Sequence, residues 1–146
     1  MATVSELYGP IAAATALTIT LNSLASGSYA DSNVIVNTTD KALDALIQVW
    51  ATTASGTLGS NPNVSVYVMG SADGTNFPDA GNLRLLDSIT ITTAAVLAAI
   101  DPTAIAQLYG GQMPPNWKIR VYNNSGLALG TTGNGATYTE IQNTVA

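Results

Sequence analysis

Residues 71 to 79 read Ser-Ala-Asp-Gly-Thr-Asn-Phe-Pro-Asp, placing two carboxylates, an amide and two hydroxyls within nine positions. Oxygen ligands at this density suit a hard cation such as calcium. A helix-loop-helix calcium site, however, needs acidic residues at alternate positions, a central glycine and a distal glutamate. Asp73 and Asn76 are three apart and no glutamate follows. The Asp73-Gly74 pair lies just after a valine-rich alternating run, where it signals a turn between strands. Turn chemistry accounts for each residue without an ion, so no metal is expected. As a catalytic pair, Asp73 and Asp79 would need a cleft and one carboxyl with a raised pKa, and both fall in a segment that reads as exposed loop.

Asp44 is the second candidate. It interrupts the apolar alternation of "KALDALIQVW", and a carboxylate in such a place is costly unless it is paired or hydrogen-bonded. Arg84 or Arg120 on a neighbouring strand would supply a buried or interfacial ion pair. The chain has no histidine and no cysteine. Thiolate-zinc sites, cysteine nucleophiles, histidine bases and the Ser-His-Asp constellation are therefore excluded. An enzyme would rest on Asp and Glu alone, and no convergent pair is visible, so the chain is expected to be non-enzymatic and without a cofactor. The Asn37-Thr38-Thr39 acceptor pattern reads as a strand end, and "GTTGNG" at 130 to 135 lacks the lysine and strand-to-helix setting of a phosphate loop.

The elements that position these residues follow from a period-two alternation that recurs along the chain. Val64, Val66 and Val68 oppose Ser65, Tyr67 and Met69; Trp117, Ile119 and Val121 oppose Lys118, Arg120 and Tyr122; Leu43, Ala45, Ile47 and Val49 oppose Asp44, Leu46, Gln48 and Trp50. Polar, glycine-rich connections separate the runs. The pattern predicts one all-β domain over 1–146, an antiparallel β-sandwich of jelly-roll type with about eight strands. One short helix is expected, with Asp101 as its cap, Pro102 at its first position and Gly110 as its stop. Residues 1 to 12 are expected to form an extended arm able to add a strand to a neighbour's sheet edge.

Composition narrows the partners. Hydrophobic residues make up 47% of the 146 and charged residues 9%, against roughly 25% charged in ordinary domains. Much of the monomer surface is then expected to be covered by other subunits. Net charge is −5, with Lys41, Arg84, Lys118 and Arg120 as the only cations, which argues against nucleic acid and against anionic membranes. The "IAAATALTITL" run at 11 to 21 has no preceding cation and is too short to span a bilayer, so it reads as a strand and not as a secretion signal. Trp117 belongs to the core by alternation. Trp50, Tyr67 and Tyr122 fall on outward faces and, with Asp44 and Arg120, are the candidate interface residues.

"LNSLASGSYADSNVIVNTTDKALDALIQVWATT", "VYVMGSADG", "LRLLDSITI", "YGGQMPPNWKIRVYNNSGLAL" and the closing "YTEIQ" together resemble a family of small phage virion proteins over residues 20 to 142. The resemblance implies a structural protein made in the host bacterial cytoplasm and carried on the virion. Its expected role is capsid decoration or a head-fibre component, with the major capsid protein or other virion subunits as partners. A homo-oligomer is expected, a trimer by preference, since capsids offer three-fold sites. The alternative is a carbohydrate-binding or receptor-binding module of a fibre or tail, using a Trp50–Tyr67–Tyr122 face.

Overall fold

Branched and aromatic residues on alternate positions bury one face of each strand and leave the other to solvent, and that requirement selects two sheets packed face to face. The computed structural model describes residues 6–10, 13–39 and 41–145. The strands are β1 (Glu6–Pro10), β2 (Thr15–Ala16), β3 (Ser28–Asp31), β4 (Ile35–Val36), β5 (Asp44–Ala51), β6 (Asn63–Ser71), β7 (Arg84–Thr90), β8 (Ala98–Ala99), β9 (Thr103–Ala104), β10 (Asn116–Asn124) and β11 (Gly135–Val145). One sheet runs β1-β11-β5-β8, with β2 also on β11 and β9 also on β5. The other runs β3-β10-β6-β7, with β4 also on β10. All pairings are antiparallel.

The short strands share positions: β1 with β2 along β11, β3 with β4 along β10, and β8 with β9 along β5. Eight strand positions result, as expected. The first pairs with the last, the second with the seventh, the third with the sixth, and the fourth with the fifth. That nesting is one long antiparallel hairpin rolled onto itself, which is the jelly roll, a fold found in viral capsid and lectin domains.

Between the sheets lie Leu17, Leu21, Ile47, Val49, the three valines of β6, and Trp117, Ile119 and Val121 of β10, all buried. Tyr138 meets Trp117 edge-on, with ring centroids 5.4 Å apart and planes at 84°, an arrangement favoured by ring quadrupoles. Trp117 Nε1 is the buried side-chain polar atom without a hydrogen-bond partner among the described residues. Loop ends are held by amides. Asn123, fully buried, donates through Nδ2 to Leu24 O and Leu127 O and accepts from Ser125 N and Oγ. Gly126, at φ 87°, packs so closely on the backbone of Gly59 that a Cβ there would overlap it.

Two expectations need correction or refinement. The helix from Asp101 does not form. Thr103–Ala104 is extended and pairs with Leu46 and Ile47 of β5, and only a 3₁₀ turn over Ala106–Tyr109 follows, ended by Gly110 at φ 69°. An open sheet edge offers Thr103 and Ala104 ladder bonds that a two-turn helix does not match. The stop at Gly110 holds; the start does not. In the expected arm, Glu6–Pro10 is extended but pairs with Ile141–Val145 of its own chain; residues 1–5 and 11–12 lie outside the described residues. No helix among the described residues is long and apolar enough to cross a membrane.

Candidate functional site

The outer face of the β3-β10-β6-β7 sheet gathers much of the chain's chemistry. Pairing register sets Asp31, Arg120, Tyr67 and Leu85 in one row across four strands. The next row is Tyr29, Tyr122, Ser65 and Ser88. Lys118 opposes Met69 on the other side. These residues face out because the valines, isoleucine and tryptophan alternating with them face in.

Asp31 is the hub. Its carboxylate accepts from Arg120 Nε at 2.6 Å, Arg120 Nη2 at 2.8 Å and Lys118 Nζ at 3.1 Å. Partial burial pushes its pKa up, but the hydrogen bonds and charges of Arg120 and Lys118 outweigh that and hold it below the usual 3.8. The same pairing, opposed by burial, raises Arg120. The guanidinium lies 3.7 Å from the Tyr29 ring centroid, and Lys118 Nζ lies 4.6 Å from that of Phe77, so each cation is both ion-paired and seated on an aromatic ring.

Phe77 reaches this face through the loop opened by Ser71. Asp73 Oδ1 accepts from Thr75 N and Asn76 N, both at 2.8 Å, and from Ser71 Oγ at 2.9 Å, while Oδ2 accepts from Asn76 Nδ2 at 2.6 Å. The backbone N–H groups of Asn76 and Thr75, then the two side chains, hold its pKa well below the carboxylate range. Gly74 sits at φ 76°, which the turn requires. This is a turn built on an aspartate. Its connection, residues 72 to 83, is longer than a tight hairpin and folds over the sheet: Met69, on the outer side of β6, is fully buried beside Phe77 and Pro78. Among the described residues no three carboxylates, histidines or cysteines gather as a metal would require.

Two hollows flank Tyr29 and Arg120. One, of about 420 Å³, is lined by Met69, Phe77, Pro78, Asp79 and Lys118. The other, of about 410 Å³, is lined by Gly27, Tyr67, Leu83 and Tyr122. Tyr29 and Arg120 belong to both, so the hollows adjoin across this stacked pair and together make up a trough.

Of the five candidate interface residues, Tyr67, Tyr122 and Arg120 come together here. Trp50 does not. It lies on the outer side of β5 in the opposite sheet, and its indole covers the backbone of Gly135 on β11. A Trp50–Tyr67–Tyr122 face therefore does not exist. Asp44 makes no ion pair with Arg84 or Arg120. Its Oδ1 accepts from Ala45 N at 2.8 Å, Ala106 N at 2.9 Å and Ile105 N at 3.0 Å, so it ties the 3₁₀ turn to the start of β5. Arg84 instead donates to Leu108 O and stacks on Tyr109.

Tyr29, Asp31, Phe77 and Lys118 are among the trough residues absent from the candidate interface set. The short "SYAD" run carried a usable signal, since Tyr29 and Asp31 alternate with Ala30 after a turn at Gly27. Phe77 has no periodicity to read; the Asp73-Gly74 turn before it suggests only that it folds back onto the edge of the sandwich, not which residues it meets. No protein-family model and no curated protein matches the chain.

Proposed function

We propose that the chain is a non-enzymatic structural protein of a phage virion, a capsid decoration protein that binds the assembled shell as a homo-oligomer, with a trimer preferred. The phage assignment rests on the resemblance of the segments between residues 20 and 142; the observation that carries docking on another protein is the segment over residues 92 to 100, Thr-Thr-Ala-Ala-Val-Leu-Ala-Ala-Ile. It has no charge and crosses from β7 of one sheet to β8 of the other. Val96 and Leu97 stand side by side on it, 54% and 61% exposed. Its backbone is fixed where Ala95, at φ 59°, donates to Thr53 Oγ1. A held, uncharged apolar protrusion suits burial against another protein. Burial from full exposure contributes about 1.5–3 kcal/mol per side chain, so covering the exposed half of each contributes about 1 kcal/mol. Three of the four cations are engaged within the chain, so docking through an uncharged edge desolvates little charge. A protein that binds the lattice, and not its free subunits, stabilises the lattice by mass action.

The test is peptide mass spectrometry and immunogold microscopy of purified particles. Many copies over the head are expected. Absence from the particle, or a few copies confined to the tail, overturns the proposal. Val96→Asp and Leu97→Asp, at exposed positions, should weaken particle binding while leaving the melting temperature of the free protein unchanged.

A further inference from the structure

We propose that the trough on the outer face of the β3-β10-β6-β7 sheet binds a neutral oligosaccharide. The site goes beyond shell decoration and is separate from it, because none of the residues lining the trough belongs to the 92–100 segment. Ligand sites combine apolar and aromatic walls with a few convergent polar groups in hollows of roughly 300–1,000 Å³, and both hollows are of that size. A pyranose ring presents an apolar face of C–H bonds and a rim of hydroxyls. Tyr29 offers an open ring for the first: it is 55% exposed, with Arg120 stacked against it. Tyr122 lies one strand away in the same row, and Tyr67 two strands and one row away, so the three rings run diagonally across the face.

Polar groups set the ligand's charge. Asp31 and Asp79 accompany Lys118 and Arg120 along the trough. Two carboxylates beside two cations leave it electrically balanced, although the chain as a whole carries −5. Single-stranded nucleic acid also stacks on aromatic rings, but it depends on a positively charged groove, which this is not. Proline-rich segments dock on aromatic grooves too, yet proline has no N–H, so such a ligand gives the carboxylates few donors. Sugar hydroxyls donate to carboxylates and accept from guanidinium and ammonium groups. The Asp31 fork fixes the Arg120 side chain before any ligand arrives, so binding does not have to order it.

An array of neutral, sialylated and sulfated glycans, with proline-rich peptides on the same slide, is probed with the labelled wild-type chain, and a retained neutral glycan is then titrated into variants. Retention of neutral glycans is expected, with affinity lowered roughly tenfold or more by Tyr29→Ala and within about threefold of wild type for Tyr29→Phe, which keeps the ring. Retention of no neutral glycan, of acidic glycans alone or of peptides alone overturns the proposal, as does binding unchanged in both Tyr29→Ala and Tyr122→Ala. Should Tyr29→Ala fail to fold, nitration of the wild-type chain reads the same site. Saturating glycan is expected to protect Tyr29, and an unprotected Tyr29 overturns the assignment. Particle binding by Tyr29→Phe, unaffected on this reading, separates the trough from the decoration surface.

Discussion

Replacing Asp44 tests whether one carboxylate holds the 3₁₀ turn to β5. In Asp44→Ala the N–H of Ala106, buried at 5% exposure, loses its acceptor. The N–H of Ile105 is also buried but keeps a second acceptor, Ala45 O at 3.2 Å. Hydrogen bonds to charged groups contribute about 1.5–3 kcal/mol, and a buried donor left unpaired costs about 1–3 kcal/mol. Counting Ala106 near the middle of that range, and Ile105 and Ala45, whose N–H also loses Asp44 Oδ1, near its bottom, Asp44→Ala should cost about 4 kcal/mol. For a chain of this size that lowers the melting temperature by roughly 8–16 °C. Asp44→Asn retains an oxygen acceptor and loses only the charge, so about 1 kcal/mol is expected. Urea unfolding followed by tryptophan fluorescence gives both values, and amide exchange at Ala106 reports the local release. A loss below about 0.5 kcal/mol for Asp44→Ala would refute the anchoring role. Equal losses for Ala and Asn would show that the charge of the carboxylate, and not merely an oxygen acceptor, holds the turn.

Trp117→Phe removes ring volume but also the unpaired Nε1, so the two effects should offset to within about 1 kcal/mol, against about 3–5 kcal/mol for Trp117→Ala; a Phe variant as damaged as the Ala variant would show that Nε1 has a partner. Melting in excess calcium and in EDTA should agree within a degree or two, because protein donors occupy both Asp73 oxygens; a calcium-dependent rise would contradict the turn. Asp31 and Asp73 both have folded pKa values below the unfolded value of 3.8. Their stabilisation is therefore complete above about pH 4 and lost as pH falls through the lower folded values. Asp31→Asn should be less stable than wild type by about 1 kcal/mol at pH 7, with the gap closing as pH falls below 3.8; a gap independent of pH would mean that packing, not charge, is responsible. Gly126→Ala combines a left-handed φ with overlap on Gly59 and should cost more than about 2 kcal/mol; a neutral result would show that the two loops can separate freely.

Alternation alone determined the inward and outward faces of β5, β6 and β10, because a two-residue period fixes side before any partner is known. It placed Trp117 inside and Tyr67, Arg120 and Tyr122 outside, and with the spacing of turns it indicated a jelly roll of eight strand positions. The Asp73-Gly74 signal was equally local: the aspartate's partners lie within three residues of it. What depended on distant partners was not legible. Propensity favoured a helix after Asp101, but the free edge of β5 and the Asp44 oxygen drew that segment into a strand and a 3₁₀ turn. Trp50 shares outward orientation with Tyr67 and Tyr122, yet periodicity assigns a side of a strand, not a sheet, and the fold put it on the opposite face of the molecule. Asp44 and Arg120 have opposite charges, but cross-strand register, set by the closing of both sheets around one core, gave Arg120 to Asp31 and left Asp44 to the backbone.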